Sequence, residues 1–544
     1  MSSSKFFLDD DMYWHLATGR YIVENKSIPS QDVFGFITQG QKWIPFEWGW
    51  DILIYGIHNL GGDIAVSFFR SILCVLIFFF VFKIAQNFKI NPLYTLAISL
   101  FILVASLSRL SPRPHLISYL FLVILLYLLM DYRYLKRINI KKLYILPVFF
   151  LVWVNLHIEV LIGIFILIFF VISEYREKKK IPKNFNAGDF KKLIFITALS
   201  VAALLCVPHF IDTYFYIYAH TQMEMLNHIN EWKSPFDKTQ YTNVYTILYF
   251  IFLTVAIICT TIYYRKSKDI FAIIVLLGMI VVSFRAVRYK FDFMLVMFIF
   301  VLIPLNSIKL KAFTQKISEW GMVVLIAVLI YTSFTNIFYK NVLSADFRET
   351  GMSVNHRFFP MEAINFISAQ KLSINEIRFY NSLRIGGLLL WSFPGYKNFI
   401  DSRDLNDEIY SRYKSIETMR PGFEKEISKM GLNGFIFSMP YAAQNAAELN
   451  KTIIGYLSKN SLNWKLIFWD DKSLIFVKND SEFSNIIRDY EYKYLSPYNI
   501  VMAPEILVNA FRNDKERFRK EFTRKLVEEP QGIFINRIKQ KFNF

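Results

Sequence analysis

From residue 63 onward, long apolar runs alternate with short basic ones. Apolar runs at 65–85, 91–108, 115–131, 143–157, 160–175, 192–208, 243–264, 270–286, 290–305 and 319–339 each predict a membrane helix. A bilayer core needs about 20 apolar helical residues, so the pattern predicts about ten spans. The fourth and fifth runs almost touch, broken by Asn155, His157 and Glu159. Such a break must face protein or a wet cavity, because lipid satisfies no polar group. The first 62 residues are mixed. Residues 13–24 predict a helix with Leu16, Tyr21 and Ile22 on its apolar side. Ser27-Ile28-Pro29-Ser30 reads as a turn, with short extended pieces at 33–38 and 43–44 around Gly40. Residues 48–59 predict a second amphipathic helix, stopped by Gly61-Gly62.

After residue 345 the pattern changes. Segments 377–380, 398–401, 434–437, 465–468 and 474–477 read as short strands. Helical patterns at 360–371, 384–391, 404–418 and 441–458 lie between them. Alternating strand and helix predicts a small α/β domain, its last two strands forming a hairpin. The expected fold is mainly α: a polytopic transmembrane helix bundle with a C-terminal extracytoplasmic α/β domain and a helical tail. The expected divisions are 1–62, an outer-face loop with an acidic motif; 63–340, the bundle; 341–479, the α/β domain; and 480–544, the tail.

Composition agrees with a membrane protein. Hydrophobic residues make up 54% and aromatics 18%, while charged residues make up 19%, below the roughly 25% of soluble domains. The net charge of +18 does not point to nucleic acid, because Lys and Arg cluster between apolar runs. Basic loops near Arg133, Lys141 and Lys142, at 176–192, at 265–268 and at 309–316 all fall on one side of the expected spans. The positive-inside rule makes that side cytoplasmic. The Asp9–Asp11 stretch, Arg109 and Arg113, the His157 break, the 209–242 loop, the 285–290 turn and the C-terminal part then face outward. Cys74, Cys206 and Cys259 lie in apolar runs and read as small side chains, not a disulfide frame. The N-terminus lacks the apolar core of a cleavable signal peptide.

Candidate chemistry gathers on that outer face. Asp9 and Asp11 could act as a general base or together hold a divalent cation such as Mg or Mn. Capping of the helix that follows is the alternative. Glu47, between Phe46 and Trp48, is a carboxylate in an apolar setting, where burial raises its pKa. Arg113, Arg285 and Arg288 suit phosphate, or snorkel at the interface. His157 could contact a phosphate, move a proton, or be a hydrogen-bonded core residue. Glu231-Trp232-Lys233-Ser234-Pro235 could be a substrate-binding turn or an aromatic anchor. No Walker loop, zinc spacing or nucleophile elbow occurs.

The stretch Asp9-Asp10-Asp11-Met12-Tyr13-Trp14-His15-Leu16-Ala17-Thr18-Gly19 resembles the Asp-Pro-Asp-x-Trp-Trp-His-Leu-x-Thr-Gly motif of a group of bacterial membrane proteins. These look like relatives of the GT-C glycosyltransferases. Further matches follow in order: Phe46-Glu47-Trp48, Arg113-Pro114-His115, Trp153-Val154-Asn155-Leu156-His157, the 231–235 turn, and Phe399-Ile400-Asp401-Ser402-Arg403. The resemblance implies a polyprenyl-phosphate sugar donor, a lipid or glycan acceptor, and an acidic catalytic residue in the first outer loop, where Asp9 and Asp11 stand. It also implies a multi-pass protein of the bacterial plasma membrane. The chain departs from the pattern at Asp10 for Pro, Phe46 for His and Ile158-Glu159 for Gly-Gly, and it starts almost at the motif where the family has a membrane helix before it, so a truncated start or an internal Met is expected. On this basis Asp9, Asp11 and Glu47 are the expected catalytic residues. His15, Arg113, His157, Glu231, Arg285 and Arg288 are the expected substrate contacts. A lipid or polysaccharide flippase, or a non-catalytic envelope assembly protein, would draw on the same ingredients.

Overall fold

The helix that opens at Trp48 shows how local sequence sets the architecture. This helix, α2 (Trp48–Asn87), leaves helical geometry at Gly61 and at Gly62, whose φ is 61°. Glycine takes a left-handed φ without a Cβ clash. The kink therefore separates the leg before Gly61 from a second, strongly apolar leg. This computed structural model describes residues 9–135, 138–180, 187–307, 359–370, 377–403, 405–438 and 449–542, with scattered positions between 320 and 376. The chain divides into two compact units. One contains Met1–Asp9, Thr18–Ile28 and Ile44–Ser353; the other contains Asp10–Ala17, Pro29–Trp43 and Val354–Phe544.

The first unit is helical. After α1 (Asp11–Asn25), whose later part belongs here, and α2 come α3 (Pro92–Ala105), α4 (Pro114–Met130), α5 (Leu146–Val154), α6 (Val160–Lys180) and α7 (Ala187–Ala203). They continue with α8 (Phe210–Thr221), α9 (Val244–Ser267), α10 (Ile270–Arg285) and α11 (Lys290–Asn306). Helix α2 packs beside α4, and α9 beside α11. Polar ties join helix ends: Asn87 Nδ2 donates to Asp131 Oδ1 at 2.9 Å, and the N–H of Asn91, which caps the start of α3, donates to Asn306 Oδ1 at 2.9 Å. Arg133 meets Asp269 at 2.8 Å, where Asp269 caps α10.

Four helical stretches among the described residues, not ten, are long and apolar enough to cross a membrane: Trp48–Asn87, Pro114–Leu135, Val244–Ser267 and Val287–Asn306. The expectation of about ten spans fails on length. Helix α3 has 14 residues and α5 has 9. At about 1.5 Å per residue, neither crosses a core of about 30 Å. Helices α6 and α7 carry charge within or beside their apolar runs, at Glu174 and Arg176 and at Asp189, Lys191 and Lys192. The run at 319–339 lies largely outside the described residues.

The second unit holds one four-stranded sheet of β1 (Phe379–Asn381), β2 (Gly434–Ser438), β3 (Trp464–Trp469) and β4 (Ser473–Lys478), in the order β1-β2-β4-β3. Only β1 and β2 run parallel; β2–β4 and β3–β4 are antiparallel. The sequence predicts a small α/β domain of alternating strands and helices; the sheet found here is not a closed α/β domain. The expected strand at 398–401 is absent, and Asn398 forms a single bridge with Gly35. Instead Asp401 and Asp32 grip the buried Arg403 at 2.7 Å each, and its guanidinium lies over the Phe34 and Trp43 rings. The segment Pro29–Trp43 is thereby part of this unit. The hairpin β3–β4 forms as expected, and part of the expected helix at 441–458 lies outside the described residues. The tail helices Lys515–Glu528 and Ile533–Phe542 share one core with the sheet, placing Phe518, Phe522, Phe534 and Ile538 among Trp464, Leu466 and Trp469.

Candidate functional site

Within the helical unit, buried ionisable groups converge where α4 and α11 begin. Pro114 opens α4, and the residue before a proline is pushed to extended backbone. Arg113 accordingly sits at φ −110° and ψ 163°, turning out of the helix. Its Nε donates to both oxygens of Asp9 at 2.7 Å. Asp9 is buried and Arg113 half-buried, so this is a partly buried, charge-assisted pair. Arg109, in the turn before, donates from Nη1 to Glu231 Oε2 at 2.8 Å, and Arg113 Nη1 lies 3.5 Å from the other Glu231 oxygen. Burial would raise the Glu231 carboxyl, but Arg113, Arg109 and Arg288 together hold it down to about 2. Burial works against the charge of Arg109, yet Tyr119 and Glu231 outweigh it and raise the guanidinium above its ordinary value.

The break between α5 and α6 supplies a second group. His157 Nε2 faces Glu47 Oε1 at 3.3 Å, and its Nδ1 faces Ser118 Oγ at 2.9 Å and Glu159 Oε2 at 3.4 Å. Ser118 Oγ already accepts from Trp153 Nε1 at 2.8 Å, which leaves the serine hydrogen to give. Given to Nδ1, it would set the imidazole proton on Nε2, toward Glu47; a proton on Nδ1 would instead face Glu159. Burial pushes the Glu47 carboxyl up, against the pull of His157 and Arg288. Glu159 goes the other way: burial raises it, but His157, Arg288 and Arg109 leave it below its ordinary range. Two carboxylates flanking one imidazole are thus driven apart in proton affinity, as in acid–base sites.

The position of Glu47 is set by backbone. Trp48 Nε1 donates to Asn155 Oδ1 at 2.9 Å, and the Gly49 N–H donates to the Asn155 carbonyl at 3.0 Å. A Cβ on Gly49 would lie 2.5 Å from that carbonyl oxygen. Glycine is needed here for close approach, not for an unusual φ.

A cavity of about 360 Å³ opens beside Arg109 and is lined by Glu231, Arg288, Lys290, Gln240 and Asn243, among others. The Arg288 guanidinium lies 4.4 Å from the Trp232 ring centre. Lys290 Nζ donates to Thr246 Oγ1 at 2.8 Å. Asp292, buried one turn into α11, leaves Oδ2 without a hydrogen-bond partner.

Of the residues singled out in the sequence, Asp9, Glu47, Arg113, His157, Glu231 and Arg288 come together in this unit. Asp11 stands in the first turn of α1, and it and His15 group with the second unit. Arg285 is exposed at the end of α10. Among the described residues, no group of three or more His, Cys, Asp or Glu side chains is arranged to hold a metal ion, and both Asp9 oxygens face Arg113. Ser118, Lys290 and Asp292 did not stand out in the sequence. Lys290 and Asp292 carried a signal nonetheless, since charges opening an apolar run are costly without a partner or a task.

No family model and no curated protein matches the chain. Among solved structures, it is similar to the archaeal oligosaccharyltransferase AglB from Archaeoglobus fulgidus in complex with an inhibitory peptide and a dolichol-phosphate. The TM-score is 0.54 at 11% identity, covering 88% of this chain and 71% of that one. It is also similar to the oligosaccharyltransferase of the same organism tethered through a disulfide to an acceptor peptide containing the NVT sequon. There the TM-score is 0.52 at 11% identity, covering 88% and 70%. At this identity the likeness concerns the fold alone, that of a multi-pass helical protein.

Proposed function

We propose that this protein is a membrane glycosyltransferase that moves a sugar from a polyprenyl-phosphate-linked donor to a lipid or glycan acceptor at the outer face of the bacterial plasma membrane. The observation that carries the reading is the pairing of Glu47 and His157 with a group of guanidiniums, the buried Arg109 and the partly buried Arg113 and Arg288, that act on the carboxylates around them. In the transfer, the acceptor oxygen bonds to the sugar C1 while the bond from C1 to the phosphate oxygen breaks. The acceptor proton passes to Glu47, whose raised proton affinity suits a base working near neutral pH. The bonding electrons go to the phosphate oxygen, where Arg109 and Arg288 stabilise the developing charge. Asp9 holds Arg113 in place from its two oxygens. No step runs through a cation.

Helix direction supports the outward placement. Helices α4 and α9 start beside the cluster and end near Arg133 and at Arg265 and Lys266. Basic ends favour the cytoplasm, which turns the starts outward. The starts also present partial positive charge, favourable to a phosphate.

The test is transfer of labelled sugar by the purified protein in liposomes, with polyprenyl-phosphate and polyprenyl-diphosphate donors. Turnover that disappears in Arg288→Met supports the reading. No turnover with any such donor contradicts it and favours transport or assembly.

A further inference from the structure

We propose that Glu159 is a positioning residue for the acid–base pair: it holds the imidazole proton of His157 on Nδ1, so that a bare Nε2 faces Glu47 and shares the proton that Glu47 takes from the acceptor. The proposal rests on the glycosyltransferase reading for the reaction; the tautomer of the ring stands on geometry alone.

Glu159 is 5% exposed, and no step of the transfer uses it directly. Ile158-Glu159 stands where the resembled motif has Gly-Gly, so this carboxylate is a departure particular to this chain. His157 Nδ1 lies 3.4 Å from Glu159 Oε2 and 2.9 Å from Ser118 Oγ. Neither Glu159 oxygen makes a well-formed hydrogen bond among the described residues. An ionised carboxylate only accepts, and a buried one left without a donor is costly. With the proton on Nδ1, Glu159 gains a charge-assisted partner, and such contacts are often long until substrate binds. With Nδ1 bare, a lone pair would face the carboxylate instead. Ser118 fits either tautomer, because its oxygen can accept from Nδ1 as well as from Trp153 Nε1, which donates to it at 2.8 Å. Glu159 therefore decides where the proton sits.

The consequence lies at the other nitrogen. Nε2 stands 3.3 Å from Glu47 Oε1. A bare Nε2 presents a lone pair to an ionised Glu47, and one proton between them relieves the repulsion. When the acceptor O–H bond breaks, its proton goes to Glu47 Oε1 and is shared with Nε2, while the Nδ1 proton stays with Glu159. The positive charge that the ring takes up then lies between two carboxylates. The proton leaves through Glu47, whose side chain is 14% exposed against 4% for Glu159.

Other charges surround the three residues. Arg288 and Arg113 act on Glu47, and Arg288 and Arg109 act on Glu159. Asp51 of α2 acts on the Glu47 side and Asp292 of α11 on the Glu159 side. His115 lies 6.4 Å from His157, ring centre to ring centre, and Tyr119 and Tyr289 bring hydroxyls toward Glu159. Among the described residues, the groups that meet the ring nitrogens of His157 are Glu47, Glu159 and Ser118.

The test joins a spectroscopic readout to a kinetic one. The full-length protein carries isotope-labelled histidine in detergent, and nitrogen NMR reads the tautomer. The His157 resonances are those that vanish in His157→Gln. A neutral ring protonated on Nδ1 is expected in the wild type and in Glu159→Asp, with that preference reduced in Glu159→Gln, whose amide can donate. A wild-type ring protonated on Nε2 overturns the proposal. The Glu159 charge raises the proton affinity of Glu47, so its loss weakens the base. Glu159→Gln, with melting matched to wild type, should lower the plateau of sugar transfer about tenfold and move the pH limb about one unit lower. Glu159→Asp should restore most of both, and lost folding would lower turnover without moving the limb. A plateau and limb unchanged in Glu159→Gln overturn the proposal as well. If the wild type transfers no sugar, the enzymatic reading falls, and the tautomer still decides whether Glu159 places the ring.

Discussion

His157 Nε2 stands 3.3 Å from Glu47 Oε1, while its Nδ1 stands 2.9 Å from Ser118 Oγ. Glu47 is buried at the mouth of α2, and burial raises its proton affinity. A base of this kind is protonated and inactive at low pH. Transfer should therefore rise with pH through a value above the ordinary Glu range. Glu231 does not produce this limb. Held down to about 2, it is ionised throughout, and its pair with Arg109 weakens only as pH falls through that value. A pH–rate profile checks both statements: a limb that persists in Glu47→Gln would assign it to another group.

The Asp9–Arg113 pair should matter to stability. Removing Arg113 strands the buried Asp9 carboxylate; a fully buried pair loses about 3–5 kcal/mol in this way, and the partly exposed Arg113 lowers that figure. Arg113→Met should melt below wild type, and Asp9→Asn in the same chain should recover much of the loss. Differential scanning calorimetry of the single and double variants measures the coupling. Additive losses would mean that the two side chains do not act as a pair.

Gly49→Ala should perturb the site through the backbone. The added methyl meets the Asn155 carbonyl, which cannot rotate away as a side chain would. Overpacking of this sort costs about 1–3 kcal/mol. Transfer should fall with it, because Glu47 precedes this contact. Unchanged melting and turnover would show that the α5–α6 break yields freely.

Asp11→Asn should be mild. Asp11 lies in the first turn of α1, where a carboxylate favours the helix by about 0.3–1 kcal/mol. Turnover within a few-fold of wild type is expected. A loss approaching that of a missing general base would move the chemistry to Asp11.

Much of this site was legible because its residues break local rules. Asn155, His157 and Glu159 interrupt an apolar run, and the structure puts them at a helix break beside Glu47. Gly61-Gly62 marked the kink in α2. Span length was not legible in the same way. Apolar runs such as 91–108 continue past the point where the helix stops, at Ala105, so hydrophobicity overstated the number of crossings. The sheet misled for a different reason. Phe399-Ile400 is apolar enough for a strand, but Asn398 and Asp401 bond to each other and Asp401 to Arg403. The Arg403 contact with Asp32 is tertiary, and no local pattern announces it. Lys290 was hidden for that reason too: it opens α11 as one more interfacial cation until Thr246 and the cavity surround it.

The most direct test is the rate of labelled sugar transfer by Glu47→Gln in liposomes, with insertion and melting matched to wild type. Loss of a general base typically lowers the rate by about a hundredfold to ten-thousandfold. A fall of that size, with donor binding retained, is the expected result. Transfer within a few-fold of wild type would contradict the assignment of Glu47 and with it the mechanism built on the Glu47–His157 contact.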